Sequence, residues 1–321
     1  MEIVLLILQL IAGFVLLIKG ADWFVDGSSG IAAKFGIPQL VIGLTIVAMG
    51  TSAPEAAVSI SAAFSGNADI TIGNIVGSNI LNILIILGIS SVIVPIAVAR
   101  STIRIETPFM IAITGVMLVL GLDGVVTLID GIIFLVLFAA YLAYLFIVAK
   151  KDMAKNAAKG GDSSSEEGEK PKSIPIAKAI IFTVIGLAMV IFGSNVTVDA
   201  ATDIAKAAGL SERFIGLTIV ALGTSLPELF TYVIAARKGN ADIAIGNIVG
   251  SNIFNILFIV GLSALIMPIP FASNFIFDSI IAIAAGVMLL LCCLWTKSLR
   301  RWAGILMLAS YAAYFAVIFN Q

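Results

Sequence analysis

Thirteen residues in the first half of the chain, GLTIVAMGTSAPE at 43–55, return as GLTIVALGTSLPE at 216–228, an offset of 173. The offset continues without a gap: GNADITIGNIVGSNILNIL at 66–84 returns as GNADIAIGNIVGSNIFNIL at 239–257. Weaker matches align Gly20 with Gly193, Val25 with Val198, Asp26 with Asp199 and Gly36 with Gly209, so the repeated unit takes in the preceding segment and amounts to half the protein. Any fold must therefore seat two equivalent units. Their identity is concentrated in polar, helix-breaking stretches, which a relic of duplication would have no reason to retain.

The 321 residues are 60% hydrophobic and 12% charged, with a mean hydropathy of +1.15, far more apolar than a soluble domain of this size. Apolar runs of the length that crosses a bilayer predict an all-α integral membrane protein. About ten transmembrane helices are expected, at 3–33, 38–65, 69–98, 105–121, 125–149, 174–208, 212–237, 242–270, 275–295 and 301–319. Five spans separate equivalent points, and an odd number makes the second copy enter from the opposite side. The expected architecture is thus two inverted-topology five-helix repeats, 1–149 and 174–321, joined by a polar, Gly- and Ser-rich linker at 150–173 that is too short to build a core.

Charge placement orients this scheme. With both termini outside, the inner segments collect Lys34, Arg100, Arg104, Arg237, Lys238, Lys297, Arg300, Arg301 and the lysines between 150 and 178, while the outer ones hold only Lys206 and Arg213. The linker is then cytoplasmic and the chain a multi-pass protein of the cell membrane. The first run lacks a basic leader and a small-residue cleavage site, so it is expected to be a retained span. Lys19 falls within it and must snorkel, pair with an acid or line a wet cavity.

Several classes fall away. A net charge of −1 leaves no basic excess for a nucleic-acid partner. No histidine is present, so an intramembrane hydrolase using Ser52 or Ser225 would lack the usual base, and no enzyme activity is expected. Adjacent Cys292 and Cys293 read as packing residues. A channel differs from a carrier in lacking saturable counterflow.

Each GTSxPE segment sets hydroxyls, a proline and a carboxylate into an apolar helix: Thr51, Ser52, Pro54 and Glu55, and Thr224, Ser225, Pro227 and Glu228. Proline disrupts the helix. The carbonyls one turn earlier, at Ala48 and Ala221, are expected to lose their partners and to be satisfied by something polar, such as a cation. A carboxylate at membrane depth costs about 3 kcal/mol, which makes Glu55 and Glu228 the leading site candidates. The donors are all oxygen, hard and anionic, a set suited to calcium or sodium, and two glutamates neutralise one divalent ion.

The second motif adds Ser78, Asn82, Ser251 and Asn255 as candidate ligands, with Ser78 and Asn82 one turn apart on a common face. Gly73, Gly77, Gly246 and Gly250 read as packing positions, and Asn79 and Asn252 as interhelical hydrogen-bond partners. Asp22, Asp26, Asp199 and Asp203 lie toward the aqueous ends of the first helix of each repeat, and Asp69 and Asp242 are expected to cap helices.

At these paired motifs the whole chain resembles the calcium/cation antiporter superfamily, particularly its prokaryotic sodium/calcium exchangers. The resemblance implies ten helices, with the second, third, seventh and eighth around a diamond of cation sites. It implies Glu55 and Glu228 as central calcium ligands, Thr51 and Thr224 as calcium and sodium ligands, and Ser52, Ser78, Ser225 and Ser251 as sodium ligands. Asn82 and Asn255 occupy the two remaining midplane positions. Some archaeal and potassium-dependent relatives carry aspartate where this chain has Asn255. The implied function is sodium/calcium antiport by alternating access, in which the first and sixth helices slide across a loaded site. Proton-coupled calcium antiport is the alternative, because a glutamate in low dielectric can carry a proton. Calcium, sodium and the bilayer are the expected partners of a monomer that needs no cofactor.

Overall fold

The computed structural model describes residues 2–158, 174–209 and 221–319. The chain runs as helices α1 (Glu2–Phe35), α2 (Gln39–Thr51), α3 (Ala53–Phe64), α4 (Ile70–Ile93), α5 (Thr102–Gly121) and α6 (Leu128–Ala158). The second half supplies α7 (Ile176–Ala207), α8 (Ala221–Thr224), α9 (Leu226–Arg237), α10 (Ala241–Ile266), α11 (Asn274–Leu294) and α12 (Arg301–Phe319).

Among the described residues, eight helices are long and apolar enough to cross a membrane, and α2 with α3 would make a ninth as one bent span. The expected tenth, 212–237, is described only from 221 onward, as α8 and α9. Residues 150–158, assigned from sequence to the linker, continue α6 as helix; the rest of that segment, with Ser173, lies outside the described residues, as do Arg213 and the whole second GLTIV stretch, 216–220.

Two short ribbons tie the halves together. Strand β1 (Ile96–Ala97) pairs antiparallel with β4 (Ser298–Leu299), and β2 (Val125–Val126) with β3 (Ile269–Pro270). Moving along the chain by the repeat offset carries β1 onto β3 and β2 onto β4, so each ribbon joins one strand from each half and the two ribbons are equivalent. Gly124, beside β2, has φ +93, and its counterpart before β4, Lys297, adopts φ 49, a backbone region that glycine occupies more readily.

Helices α1 and α7 are themselves counterparts, and they lie against each other backbone to backbone. A methyl group placed on Gly13, Gly20 or Gly27 would come within 3.1, 2.9 and 2.6 Å of the carbonyls of Gly193, Gly186 and Ala179 respectively. Partner numbers fall as those on α1 rise, so the equivalent helices run antiparallel. Small residues every seven positions make that approach possible in a membrane, where close packing and not hydrophobicity joins helices.

Burial sorts the elements by role. In α4 and α10, 78% and 83% of the most apolar stretch is enclosed by the rest of the chain, against 17% in α1 and α12. The helices that carry the asparagine- and serine-rich motif are therefore the centre of the molecule. The outer helices present Ile3, Leu5, Leu8, Trp302 and Ile305 outward, as a hydrocarbon-facing surface does. Cys292 and Cys293 are free and buried, and Lys19 lies on the exposed side of α1.

Candidate cation site

The GTSxPE segment makes a break. α2 stops at Thr51, Ser52 takes φ −82 and ψ 10, and α3 departs at 50°. Pro54 falls in the first turn of α3, where its missing N–H costs no helical hydrogen bond, and Pro227 sits likewise in α9. The prolines thus begin new half-helices, and Glu55 and Glu228 sit in their first turns, where the N-terminal dipole favours a carboxylate.

That geometry corrects one expectation. The Ala48 carbonyl keeps a backbone partner, the Ser52 N–H at 3.0 Å, because proline removes a donor that the first turn does not use. The same carbonyl also accepts the hydroxyls of Thr51 and Ser251, each at 3.3 Å. In the other half the Ser225 N–H bonds the Leu222 carbonyl at 3.2 Å, a tighter turn beside Ala221.

Glu55 and Glu228 are each 1% exposed. Ser78 and Thr224 face the Glu55 carboxylate, while Ser52, Thr51 and Ser251 face that of Glu228. Each carboxylate thus meets a serine from its own half, Ser78 or Ser251, and a threonine from the other half. Ser52 donates to Glu228 Oε1 at 2.9 Å, and Thr51 to Asn247 Oδ1 at 2.9 Å.

Four asparagines, two from each half, are linked by hydrogen bonds. Asn82 Nδ2 donates to Asn252 Oδ1 at 2.9 Å and Asn255 Nδ2 to Asn79 Oδ1 at 3.0 Å. Asn82 and Asn255 each begin a π-helical turn, Asn82–Ile86 and Asn255–Val260, a distortion that recurs at functional sites. Their amide donors are spent on neighbours, so their carbonyl oxygens are left as acceptors.

Five buried acceptors in this region have no hydrogen-bond partner among the described residues: Glu55 Oε2, Glu228 Oε2, Asn82 Oδ1, Asn255 Oδ1 and Ser225 Oγ. Buried oxygens are ordinarily satisfied, and leaving one unsatisfied costs about 1–3 kcal/mol or more for a charged group. A hard cation satisfies several at once.

Two site residues escaped the sequence reading. Asn74 Nδ2 donates to the Glu55 carbonyl at 3.2 Å and to Ser59 Oγ at 2.9 Å, and Asn247 Nδ2 reaches the Glu228 carbonyl at 3.5 Å. They hold the half-helix starts in place. The signal was available: Asn74, Ser78 and Asn82 recur at intervals of four, on one face of α4.

The glycines divide. A methyl group on Gly246 or Gly250 would meet Leu40 O at 3.0 Å or Leu44 O at 2.8 Å, so these two are packing positions that let α10 touch α2. Gly73 has only Phe275 at 3.4 Å and Gly77 nothing within 4 Å among the described residues. Asp242 does not cap α10; Asn240 takes the cap position, without a side-chain capping bond. Ala68 precedes the other helix in the same way.

Comparison with known proteins agrees with this picture. The family described as Sodium/calcium exchanger protein matches residues 5–147 and again 178–320, two segments separated by the repeat offset. The chain belongs to the sodium/calcium exchanger family. Its relatives include the putative antiporter CaxA of Alkalimonas amylolytica, 41% identical over 97% of this chain and 98% of that protein. The sodium/calcium exchanger MaX1 of Methanosarcina acetivorans is 33% identical over 97% and 98%. The solved sodium-calcium exchanger NCX_Mj superposes with a TM-score of 0.83 at 32% identity, over 98% of this chain and 99% of that one. This family member is a membrane transporter and not an enzyme.

Proposed function

We propose that this exchanger-family protein moves calcium against sodium across the cell membrane by alternating access, the two ions competing for one site built on Glu55 and Glu228. The observation that carries the reading is the pair of buried carboxylates, one from each half, each set among hydroxyl and amide oxygens with one oxygen unpartnered among the described residues. Two like charges in so enclosed a place require cations, and one calcium or two sodium ions supply the same charge. Occupancy by one therefore excludes the other, and an empty site, with its repelling carboxylates, does not cross. MaX1 and NCX_Mj are named sodium/calcium exchangers, which supports the assignment of ions.

The architecture proposed with it is ten spans in two inverted repeats, 1–149 and 174–321, with both termini outside and 150–173 cytoplasmic. The antiparallel contact of counterparts α1 and α7 supports the inversion. Each β ribbon joins two loops that this topology puts on the same face, which supports the span count. Thr51, Thr224, Ser52, Ser225, Ser78, Ser251, Asn82, Asn255 and the Ala48 and Ala221 carbonyls complete the ligand set around the glutamates, and a monomer holds all of it.

Sodium-driven calcium uptake into proteoliposomes tests the proposal. Glu55→Gln and Glu228→Gln each abolish uptake; undiminished flux in both would refute it. Proton coupling is separated in the same assay, because it predicts calcium movement under a pH gradient and none under a sodium gradient at fixed pH.

A further inference from the structure

The two halves differ in charge where α1 meets the end of α9. Lys238 Nζ lies 2.7 Å from Asp22 Oδ1 and 2.6 Å from Asp26 Oδ1, and it also donates to the Asp22 carbonyl at 2.9 Å. Two residues further on, Asn240 Nδ2 donates to Ser29 Oγ at 3.0 Å. The loop after α9 is thus fastened to three successive turns of α1, all on the face that the proposed topology makes cytoplasmic.

The repeat offset shows what stands on the opposite face. Lys238 corresponds to Ser65, Asp22 to Asn195 and Asp26 to Asp199, so the ion pairs have no equivalent there. Asn240 and Ser29 correspond to Asn67 and Thr202, which retain the chemistry of the neutral bond. Yet Asn67 is exposed, and the buried Thr202 Oγ1 has no partner among the described residues. The neutral bond is made on one face and parted on the other, while the ionic contact lacks its cation at the counterpart position, Ser65.

We propose that Lys238, clamped by Asp22 and Asp26, is a one-sided latch that holds the cytoplasmic face closed and makes the two access states unequal in energy. Helix α1 lies along α9 through Phe14 and Phe230, whose rings are 6.0 Å apart, and through Leu17 and Ala21 against Leu226 and Ile234. A slide of α1 by one helical turn, about 5.4 Å, leaves Lys238 with at most one of its two carboxylates, which are themselves one turn apart. The Asn240–Ser29 and Asn67–Thr202 bonds then form alternately, one in each state. Inverted repeats alone would give two nearly equivalent states; Lys238 removes that equivalence. This inference rests on the alternating-access reading.

The test uses the full-length protein in liposomes, with Cys292 and Cys293 replaced by serine. In the Ser29→Cys/Asn240→Cys variant, oxidation by copper phenanthroline forms a disulfide that arrests sodium-driven calcium exchange, and a thiol reductant restores it. Lys238→Ala lowers the half-saturating calcium at the cytoplasmic face relative to the outer face by about fivefold, the effect of losing a partly exposed ion pair. Lys34→Ala, a cation of the same face outside the contact, leaves that ratio as in the wild type. Failure of the disulfide to form, exchange at full rate after it forms, or a wild-type ratio in Lys238→Ala each overturns the latch. Absence of sodium-driven flux in the reduced and wild-type proteins would instead sink the exchange reading.

Discussion

Asn79 and Asn252 exchange identical hydrogen bonds: each side-chain Nδ2 donates to the other's backbone carbonyl at 3.2 Å. They stand at equivalent places in the two repeats, so the pseudo-two-fold axis passes between them. Each also accepts at its Oδ1 from an asparagine amide of the other half, that of Asn82 or Asn255. The contact therefore joins α4 to α10 and orients the site.

Removing either partner leaves buried polar groups without their bonds. Asn79→Ala and Asn252→Ala are each expected to destabilise the protein by about 1–3 kcal/mol. Thermal unfolding in detergent measures it. The double variant should cost clearly less than the sum of the singles, because one reciprocal contact is lost in all three; full additivity would show that the two residues act independently.

Ser52 donates to Glu228 Oε1, whereas the Oγ of its counterpart Ser225 has no partner among the described residues. Ser52→Ala is expected to raise the sodium concentration needed for half-maximal exchange severalfold and to change calcium affinity less, since calcium draws most of its charge compensation from the glutamates. Titrations of sodium and calcium against flux distinguish the two. Equal shifts for both ions would argue that Ser52 only positions Glu228.

Asn255 uses its amide to donate to Asn79 Oδ1 at 3.0 Å. An aspartate at 255 keeps that bond only when protonated. Asn255→Asp should therefore make exchange faster at pH 6 than at pH 8, beyond any trend in the wild type. A pH profile parallel to that of the wild type would count against it.

A methyl group at Gly20 would lie 2.8 Å from Val190 N and 2.9 Å from Gly186 O, both in the backbone of α7. Gly20→Ala is expected to slow turnover while calcium binding at equilibrium stays near the wild-type level, because the α1–α7 pair lies outside the ligand shell. Flux and isothermal binding, measured on the same preparation, check this.

The apolar spans, the break at each proline and the two glutamates can all be read from the chain. Hydrophobic length dictates the spans, and a carboxylate in an apolar run has few fates other than a site. The role of Ala48 was harder to read, because a proline in the first turn of a half-helix frees no carbonyl, and only the structure shows that Pro54 occupies that turn. Asn74 and Asn247 passed unnoticed since an asparagine near a helix break has many uses, and its hydrogen-bond partner lies on another helix.

The repeat by itself determined which residues are counterparts and that the fold must seat two equivalent units. Only tertiary structure decided which counterparts touch: Thr51 from one half beside Glu228 from the other, β1 with β4 in place of its neighbours, Lys238 against Asp22 and Asp26. Sequence spacing governs contacts along one helix, through its period of about 3.6 residues. Contacts between helices follow from how their surfaces fit, and in a membrane that fit is set by where glycines let backbones approach.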